Sequence, residues 1–216
     1  MDSPITIRRY QPPDRDGLFR IAADTAFFGE PVEVFMEDRR IFLDSFFAYY
    51  TDYEPENSWV ASNESGMIGF LTGCVDTQRQ REITAKKLEP KALKKLISGK
   101  YRPGIKTWRY LCSYFTSRFR NEDPFVDLNL YPAHFHINLD SNWRGGGIGK
   151  RLIRAFIEDL KLKGCPGVHL QTTSYHKIAC GLYEKMGFVL LDSRPTRLWK
   201  SYLFEPIDNR AYGMRL

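Results

Sequence analysis

No run of 18 apolar residues occurs in the 216-residue chain, so no segment is expected to cross a bilayer as a helix. The first residues, Met1-Asp2-Ser3-Pro4, have neither a basic start nor an apolar stretch behind it, and no signal peptide is expected. Cysteine is scarce. Cys74, Cys112, Cys165 and Cys180 make no C-x-x-C pair and no zinc spacing, and they are expected to be reduced, packed thiols. Histidine is scarcer in useful places: a zinc site built on His134 and His136 would need two further ligands, and His169 and His176 have no spacing that supplies them. Internal repeats and low-complexity tracts are missing too. These absences predict a cytoplasmic protein with reduced thiols and no metal. The chain is 43% hydrophobic and 14% aromatic, enough for a sizeable core, and its length suits a single domain over 1–216 with room for an insertion.

Acids are nearly lacking in one stretch. Between Thr77 and Arg120 there are 13 Lys/Arg and only Glu82 and Glu89 against them, so this segment carries +11 of a chain whose net charge is +6. We read about 77–130 as a basic insertion. Its part Glu89 to Ile97 has the period of an amphipathic helix with Leu93, Leu96 and Ile97 inward. Such a surface suits an anion: a coenzyme phosphate, an acidic protein or nucleic acid. Its aromatics Tyr101, Trp108, Tyr110, Tyr114 and Phe115 are candidates for stacking on bases, although no nucleic-acid motif accompanies them.

The periodicities elsewhere give an order. "ITIRRYQ" (Ile5 to Gln11) alternates as a strand, and Asp14 is placed to cap a helix through Leu18, Phe19, Ile21 and Ala22. "FFGEP" breaks it, and a second helix is predicted from near Val32 to Tyr50. "WVASN" and "MIGFLTGCVDT" read as a hairpin about Glu64-Ser65-Gly66. "AHFHINLD" (Ala133 to Asp140) alternates cleanly, with Phe135, Ile137 and Leu139 on one face and His134, His136, Asn138 and Asp140 on the other. A helix over Ile148 to Lys163, a strand at Val168 to Thr173, a helix near Lys177 to Met186, and closing strands "FVLLDS" and "RLWKSYLF" complete a β-α-α-β-β, insertion, β-α-β-α-β-β order.

"NWRGGGIGKRLI" (Asn142 to Ile153) joins the alternating strand to the long helix. Glycines without Cβ atoms at a helix N-terminus, ringed by Arg144, Lys150 and Arg151, make a candidate anion cradle. Two familiar phosphate loops are missing. A Walker A loop needs glycine where Arg144 stands and Ser or Thr where Arg151 stands, and a dinucleotide fingerprint fails at Lys150 or Leu152. Arg144-x-x-Gly147-x-Gly149 instead resembles the coenzyme loop of the GCN5-related N-acetyltransferases. Tyr183, thirty-four residues past Gly149, lies in "LYEKMGF", which resembles that family's second signature. The resemblance covers most of the chain outside about 77–130.

The resemblance implies an α/β fold with a mixed, mostly antiparallel central sheet, splayed between strands four and five and flanked by helices. It implies acetyl-CoA as donor, passing acetyl directly to an amine of a small molecule or protein (a lysine or N-terminal amine) in a ternary complex. Arg144, Gly145, Gly147 and Gly149 would then donate N–H groups to the pyrophosphate, and the backbone of Ile137 and Leu139 would pair with the pantetheine arm. A backbone N–H around Ile137 would polarise the thioester carbonyl. Lys150 or a residue of the insertion is the candidate for the 3′-phosphate. His176 occupies the place of the family's common asparagine, a departure that puts one coenzyme contact in question. Tyr183 matches the tyrosine near the coenzyme sulfur and is the candidate acid. His134 and His136 resemble a His-x-His that relays the amine's proton in arylalkylamine N-acetyltransferases, and Glu33 is a further base candidate. The competing expectations are a silent acetyltransferase-like binding module and a nucleic-acid binder. A homodimer through the aromatic second helix or the insertion is compatible with either enzyme or module.

Overall fold

The computed structural model describes residues 4–216, so residues 1–3, read above for a leader, lie outside the described residues. Seven strands form one sheet: β1 (Thr6–Arg9), β2 (Trp59–Asn63), β3 (Gly66–Cys74), β4 (Ala133–Leu139), β5 (Gly167–Thr173), β6 (Val189–Thr196) and β7 (Ile207–Arg215). Their spatial order is β1-β2-β3-β4-β5-β7-β6. Every pairing is antiparallel except β4 with β5. Among the described residues no helix is long and apolar enough to cross a membrane.

Eight helices surround the sheet: α1 (Arg15–Asp24), α2 (Arg39–Phe46), α3 (Ala48–Asp52), α4 (Thr77–Ile83), α5 (Glu89–Ile97), α6 (Ile105–Phe119), α7 (Ile148–Leu162) and α8 (Lys177–Lys185). The long helix α7 follows its predicted pattern. Leu152, Ile153, Phe156, Ile157 and Leu160 are buried against Ala133, Phe135 and Leu170. Each such side chain contributes roughly 2–3 kcal/mol by leaving water. Close packing depends on Gly73 of β3, where a Cβ would stand 2.4 Å from Phe156 Cζ. An ion pair also ties α7 to the opposite edge: Asp159 accepts from Arg9 and, at 2.8 Å, from Lys163.

Four expectations are corrected. The Asp14 carboxylate does not cap α1; it accepts from the Gln11 amide at 2.8 Å and from Arg8, closing the turn before the helix. The helix expected from Val32 to Tyr50 is a short 3-10 turn followed by α2 and α3. Asp38 stops the chain and starts it again, its carboxylate capping the Arg40 amide at 3.0 Å. On α5, Leu93 and Ile97 face solvent and only Leu96 is half-buried. The side turned to α2 carries Lys95, whose ammonium pairs with Asp44. Finally, "RLWKSYLF" is not a strand. Trp199 accepts amide hydrogen bonds from Tyr202 and Leu203, a helical turn that drives Trp199 and Tyr202 into the aromatic cluster of Phe27, Phe35 and Tyr110. The closing strand is instead "IDNRAYGMR", held between β5 and β6.

The basic segment read as an insertion folds as α4, a π-helical turn over Thr84–Leu88, α5 and α6. Glu37 anchors it. Its carboxylate accepts from the amides of Gly104, Lys106 and Thr107 and from the Thr107 hydroxyl at 2.6 Å, filling the N-terminus of α6. Desolvation would raise this carboxyl, but those hydrogen bonds outweigh it and hold the pKa to about 2.

Candidate active site

The site is organised by β4. From His134 to Leu139 it pairs with β3, but it meets β5 only at Ala133 with Val168 and His134 with His169. Beyond His134 the two parallel strands part. The Asp140 amide donates to Ile68 on the β3 side, so by the alternation of a strand the backbone groups of Phe135, Ile137 and Leu139 point the other way, into the gap. Ile137 and Leu139 therefore offer an unpaired strand edge there.

The gap leads to the glycine loop. Gly145 has φ +86° and Gly147, which caps α7, has φ +76°, both in the left-handed region. A Cβ added at Gly145, Gly146 or Gly147 would meet open space, so packing within the chain does not require glycine at these three positions. Gly149 differs: a Cβ there would make ordinary contact with Ile137, Leu139 and Leu182. Lys150 is exposed one residue further on. Arg144 folds back, with Nη2 3.5 Å from the Leu139 carbonyl and Nη1 2.7 Å from where a Cβ on Gly29 would stand.

Gly29 belongs to a tight turn closed by a Phe27–Glu30 bridge, with Phe28 held at φ +53°, a strained value for a phenylalanine. This strain aims the Phe28 ring across the mouth of the gap, 4.9 Å from Tyr175, 5.1 Å from His176 and 5.3 Å from Trp199. His176 thus joins the mouth as an aromatic contact. Burial, and secondly Arg144, lowers its pKa, so the ring is neutral.

His134 and His136 leave β4 on the face covered by α1 to α3, and Tyr50 bridges them. Its hydroxyl is 2.6 Å from His134 Nε2 and 3.0 Å from His136 Nε2. His134 Nδ1 is 2.7 Å from the Thr77 hydroxyl, which donates to the Pro132 carbonyl at 2.6 Å. Counting protons fixes the direction of this chain. The carbonyl only accepts, so the single Thr77 proton goes to it, and His134 Nδ1–H donates to the Thr77 hydroxyl, with Cys74 Sγ also near it at 3.2 Å. Burial, then His136 and His169, pushes the His134 pKa well down, so the ring is neutral and its Nε2 is a bare acceptor. The Tyr50 O–H, whose own pKa burial raises, donates to that nitrogen. Its oxygen accepts from His136 Nε2–H. His136 Nδ1 is then left with its lone pair. His134 is buried with both nitrogens engaged, whereas solvent reaches His136. Phe47, Tyr50 and His134 pack against the His136 ring, and this partial desolvation, with His169 second, lowers its pKa to about 4.

Tyr183 approaches β4 from the other face. Its ring is buried edge-on to Phe135, 6.4 Å between centres, and to Phe188. The hydroxyl has no hydrogen-bond partner among the described residues, and burial raises its pKa, so it keeps its proton. Glu33 lies elsewhere: its carboxylate pairs with Arg39 at 2.7 Å. Tyr50, Thr77, Phe28 and Trp199 complete the site: Phe28 and Tyr50 belong to the aromatic-rich stretch Phe27 to Tyr53, which suggests an acceptor pocket or a core stripe equally, whereas Thr77 and Trp199 carry no sequence signal. Tyr50 and His134 are 84 residues apart.

Among the described residues, no cluster of three or more His, Cys, Asp or Glu is placed to hold a metal ion. Of the insertion's aromatics, Tyr101 and Tyr110 are buried and so turned away from any base.

A sheet of this order, parted beside a glycine-capped helix, is the mixed, mostly antiparallel architecture that the sequence resemblance implies. The Acetyltransferase (GNAT) family model matches residues 120–188. A crystal structure of SsHAT superposes with a TM-score of 0.73 at 26% identity, over 98% of each chain. Ard1 from Thermoplasma volcanium shares the fold at a TM-score of 0.56 and 17% identity, over 98% of this chain and 97% of that one. N-alpha-acetyltransferase 30 of Saccharomyces cerevisiae is 31% identical over 83 residues, 38% of this chain and 45% of that protein. The matched part spans less than half the length of the curated relatives it resembles. Over residues 120–188 the chain is thus similar in sequence to the GNAT acetyltransferases, and over nearly its whole length it is similar in fold to SsHAT.

Proposed function

We propose that this chain is an acetyl-CoA-dependent N-acetyltransferase, acting as one domain with an insertion at about 77–130. The observation that carries the reading is the free edge of β4 at Ile137 and Leu139 running into the open, left-handed glycine turn at the head of α7. An added strand satisfies such an edge, and a pyrophosphate satisfies such a helix head. Gly145, Gly147 and Gly149 offer amides there, and Arg144 and Lys150 offer charge. When bound, acetyl-CoA supplies a thioester whose carbonyl an amine attacks directly.

The residues divide the proton work. The backbone N–H of Ile137 faces the gap and stabilises negative charge on the carbonyl oxygen. His136 Nδ1 is the proposed base. Its pKa near 4 keeps it neutral at physiological pH, and the amine nitrogen becomes strongly acidic as its bond to carbon forms, so a weak base suffices. Tyr50 and Thr77 hold the tautomer that leaves Nδ1 bare, through His134. Tyr183 gives its proton to the departing thiolate. The aromatic mouth of Phe28, Tyr175 and Trp199 suits a partly apolar amine or the stem of a lysine.

Calorimetric titration with acetyl-CoA, followed by thiol release over a panel of amines and peptides, tests the proposal. Micromolar binding and acceptor-dependent thiol release are expected. Binding without release for any amine would instead mark a silent module, and absence of binding would overturn the cradle itself.

A further inference from the structure

β5 lies inside the sheet, between β4 and β7, yet one of its side chains is open to solvent. His169 pairs in register with His134, and their rings are 5.5 Å apart, so His169 shares the histidine face of β4. By the alternation of a strand, Gln171 and Thr173 share it too. His169 and Thr173 are buried, but Gln171 between them is exposed. The cover over this face is therefore open at Gln171. Gln171 stands two residues past His169, as His136 stands two past His134, so the two side chains flank the parting strands from either side.

Neither polar group on β5 is satisfied here. The Gln171 amide makes no side-chain hydrogen bond among the described residues. Thr173 is 9% exposed, and its hydroxyl is a buried donor without an acceptor. Buried polar groups are normally bonded, and an unbonded one beside a reaction site points to a group that arrives with the substrate. Thr173 also accepts the His176 amide at 3.1 Å, so it begins the turn that carries Tyr175 and His176 to the aromatic mouth.

The chemistry of the face selects that group. Across from Gln171 and Thr173, β7 presents Ala211 and Asn209, and β4 presents neutral imidazoles and Asn138. None of these is charged. Arg81 is felt at His134 and His169, the end where the strands still pair. A carboxylate at Gln171 would lose water and gain no cation from the three strands. A bare alkyl stem, such as that of lysine, would leave Thr173 unbonded and strip water from Gln171. A carboxamide fits. Its carbonyl accepts from the Thr173 hydroxyl or the Gln171 amide, and its N–H donates to the Gln171 carbonyl.

We propose that Gln171 and Thr173 form an acceptor subsite for a neutral amide, so that the preferred amine carries a carboxamide on the neighbouring carbon, as the first residue of a peptide does. The inference rests on the acetyltransferase reading above and narrows its acceptor. The Phe28 ring closes against Tyr175 and His176 at 4.9 and 5.1 Å, and the acceptor reaches Thr173 by moving that ring, a side-chain change of the ordinary kind.

Four amines test this by thiol release at saturating acetyl-CoA: phenylalaninamide, phenylalanine, phenethylamine and Nα-acetyl-lysinamide. The first three share one ring, so the aromatic mouth treats them alike and only the group beside the amine differs. Rates are compared as kcat/KM per neutral amine, which removes their different pKa values. Phenylalaninamide should exceed each of the others by about tenfold or more, the worth of one or two neutral hydrogen bonds. Thr173→Val, which keeps the shape, and Gln171→Leu, at an exposed position, should each shrink its lead over phenethylamine by about three- to tenfold. Thr173→Val should not lower the melting temperature, because the hydroxyl it removes bonds nothing in the free protein. Equal rates for phenylalaninamide and phenethylamine, a lead for Nα-acetyl-lysinamide, or a lead that neither variant reduces would overturn the subsite and leave the acetyltransferase reading standing. If no amine is acetylated, that reading fails instead, and saturation-transfer NMR of phenylalaninamide on the protein with CoA added judges the subsite. Contact weakened in both variants supports it; no contact, or contact both variants leave unchanged, overturns it.

Discussion

Removing one oxygen tests the arrangement proposed around His136. In Tyr50→Phe the buried ring stays and only the hydroxyl is lost, taking with it contacts of 2.6 Å to His134 Nε2 and 3.0 Å to His136 Nε2. His134 is shut away from water, so its orphaned lone pair costs about 1–3 kcal/mol. Solvent reaches His136, and water takes over its N–H at little cost. A chain of this size loses about 2–4 °C of melting temperature per kcal/mol, so the variant remains folded at assay temperature. The kinetic loss is larger. Without an oxygen to receive Nε2–H, the imidazole turns and exchanges tautomers, and Nδ1 is no longer reliably bare. A general base contributes about 10²–10⁴-fold, and a residue that positions it forfeits part of that, so kcat should fall about 10- to 100-fold. The KM for acetyl-CoA should not move, because Tyr50 and the glycine cradle lie on opposite faces of β4. His136→Gln should cost more, and Thr77→Val should act in the same direction and cost less. The assay is thiol release at saturating acetyl-CoA. A folded Tyr50→Phe enzyme with unchanged kcat would refute the tautomer argument.

Three other outcomes follow from the same geometry. Gly147→Glu puts a residue at φ +76° into open space. This costs about 1–2 kcal/mol in the left-handed region, so the protein folds, yet a carboxylate about 4 Å from a phosphate opposes binding by about 4 kcal/mol. Acetyl-CoA affinity should drop about a thousandfold by calorimetry, and an unchanged affinity would remove the loop from the binding site. Tyr183→Phe should lower turnover and leave acetyl-CoA affinity nearly intact; full turnover would deny it the acid role. Burial keeps His134, and partial desolvation keeps His136, below the ordinary pKa. Between pH 6.5 and about 4 the unfolded chain therefore binds protons that the native one refuses, so stability is full above that window and is lost as pH falls through it. Melting curves across it should show the loss, and His134→Gln should reduce it; a slope that this variant leaves untouched would contradict the burial.

The parts of the site legible in the sequence are those set by local period or by backbone freedom. The alternation of "AHFHINLD" assigns every side chain of β4 to its observed face, and the glycines before Ile148 mark a turn that only they adopt without cost. The misread parts are those decided by tertiary contact. "RLWKSYLF" has more β-forming residues than "IDNRAYGMR", yet the aromatic cluster takes Trp199 and Tyr202, and the polar segment becomes the strand because β5 and β6 pair with it on both sides. On α5, periodicity showed a face and could not say which way it turned. Asp44 settles that by drawing in Lys95 and leaving Leu93 and Ile97 outside. The Tyr50 bridge is illegible for a different reason: only the fold brings α3 over β4, and an aromatic at that position reads equally well as core.

β4 carries three separate functions because a strand has three separate outputs. Phe135, Ile137 and Leu139 send side chains into the core under α7 and α8, where they support Gly149 and Tyr183. His134, His136 and Asn138 send theirs to the helices on the other face, and Asn138 bonds Thr25 of the residue run after α1 at 2.8 Å. The backbone of the first set points into the gap, free only because β5 leaves after His134. The arrangement cannot be divided. A slip of one residue would turn the imidazoles into the apolar core beneath α7, set Phe135 against Tyr50, and exchange which amides face the gap. The register that buries the phenylalanine is therefore the same constraint that exposes the Ile137 amide and presents His136, so core packing on one face holds the proposed proton chemistry on the other.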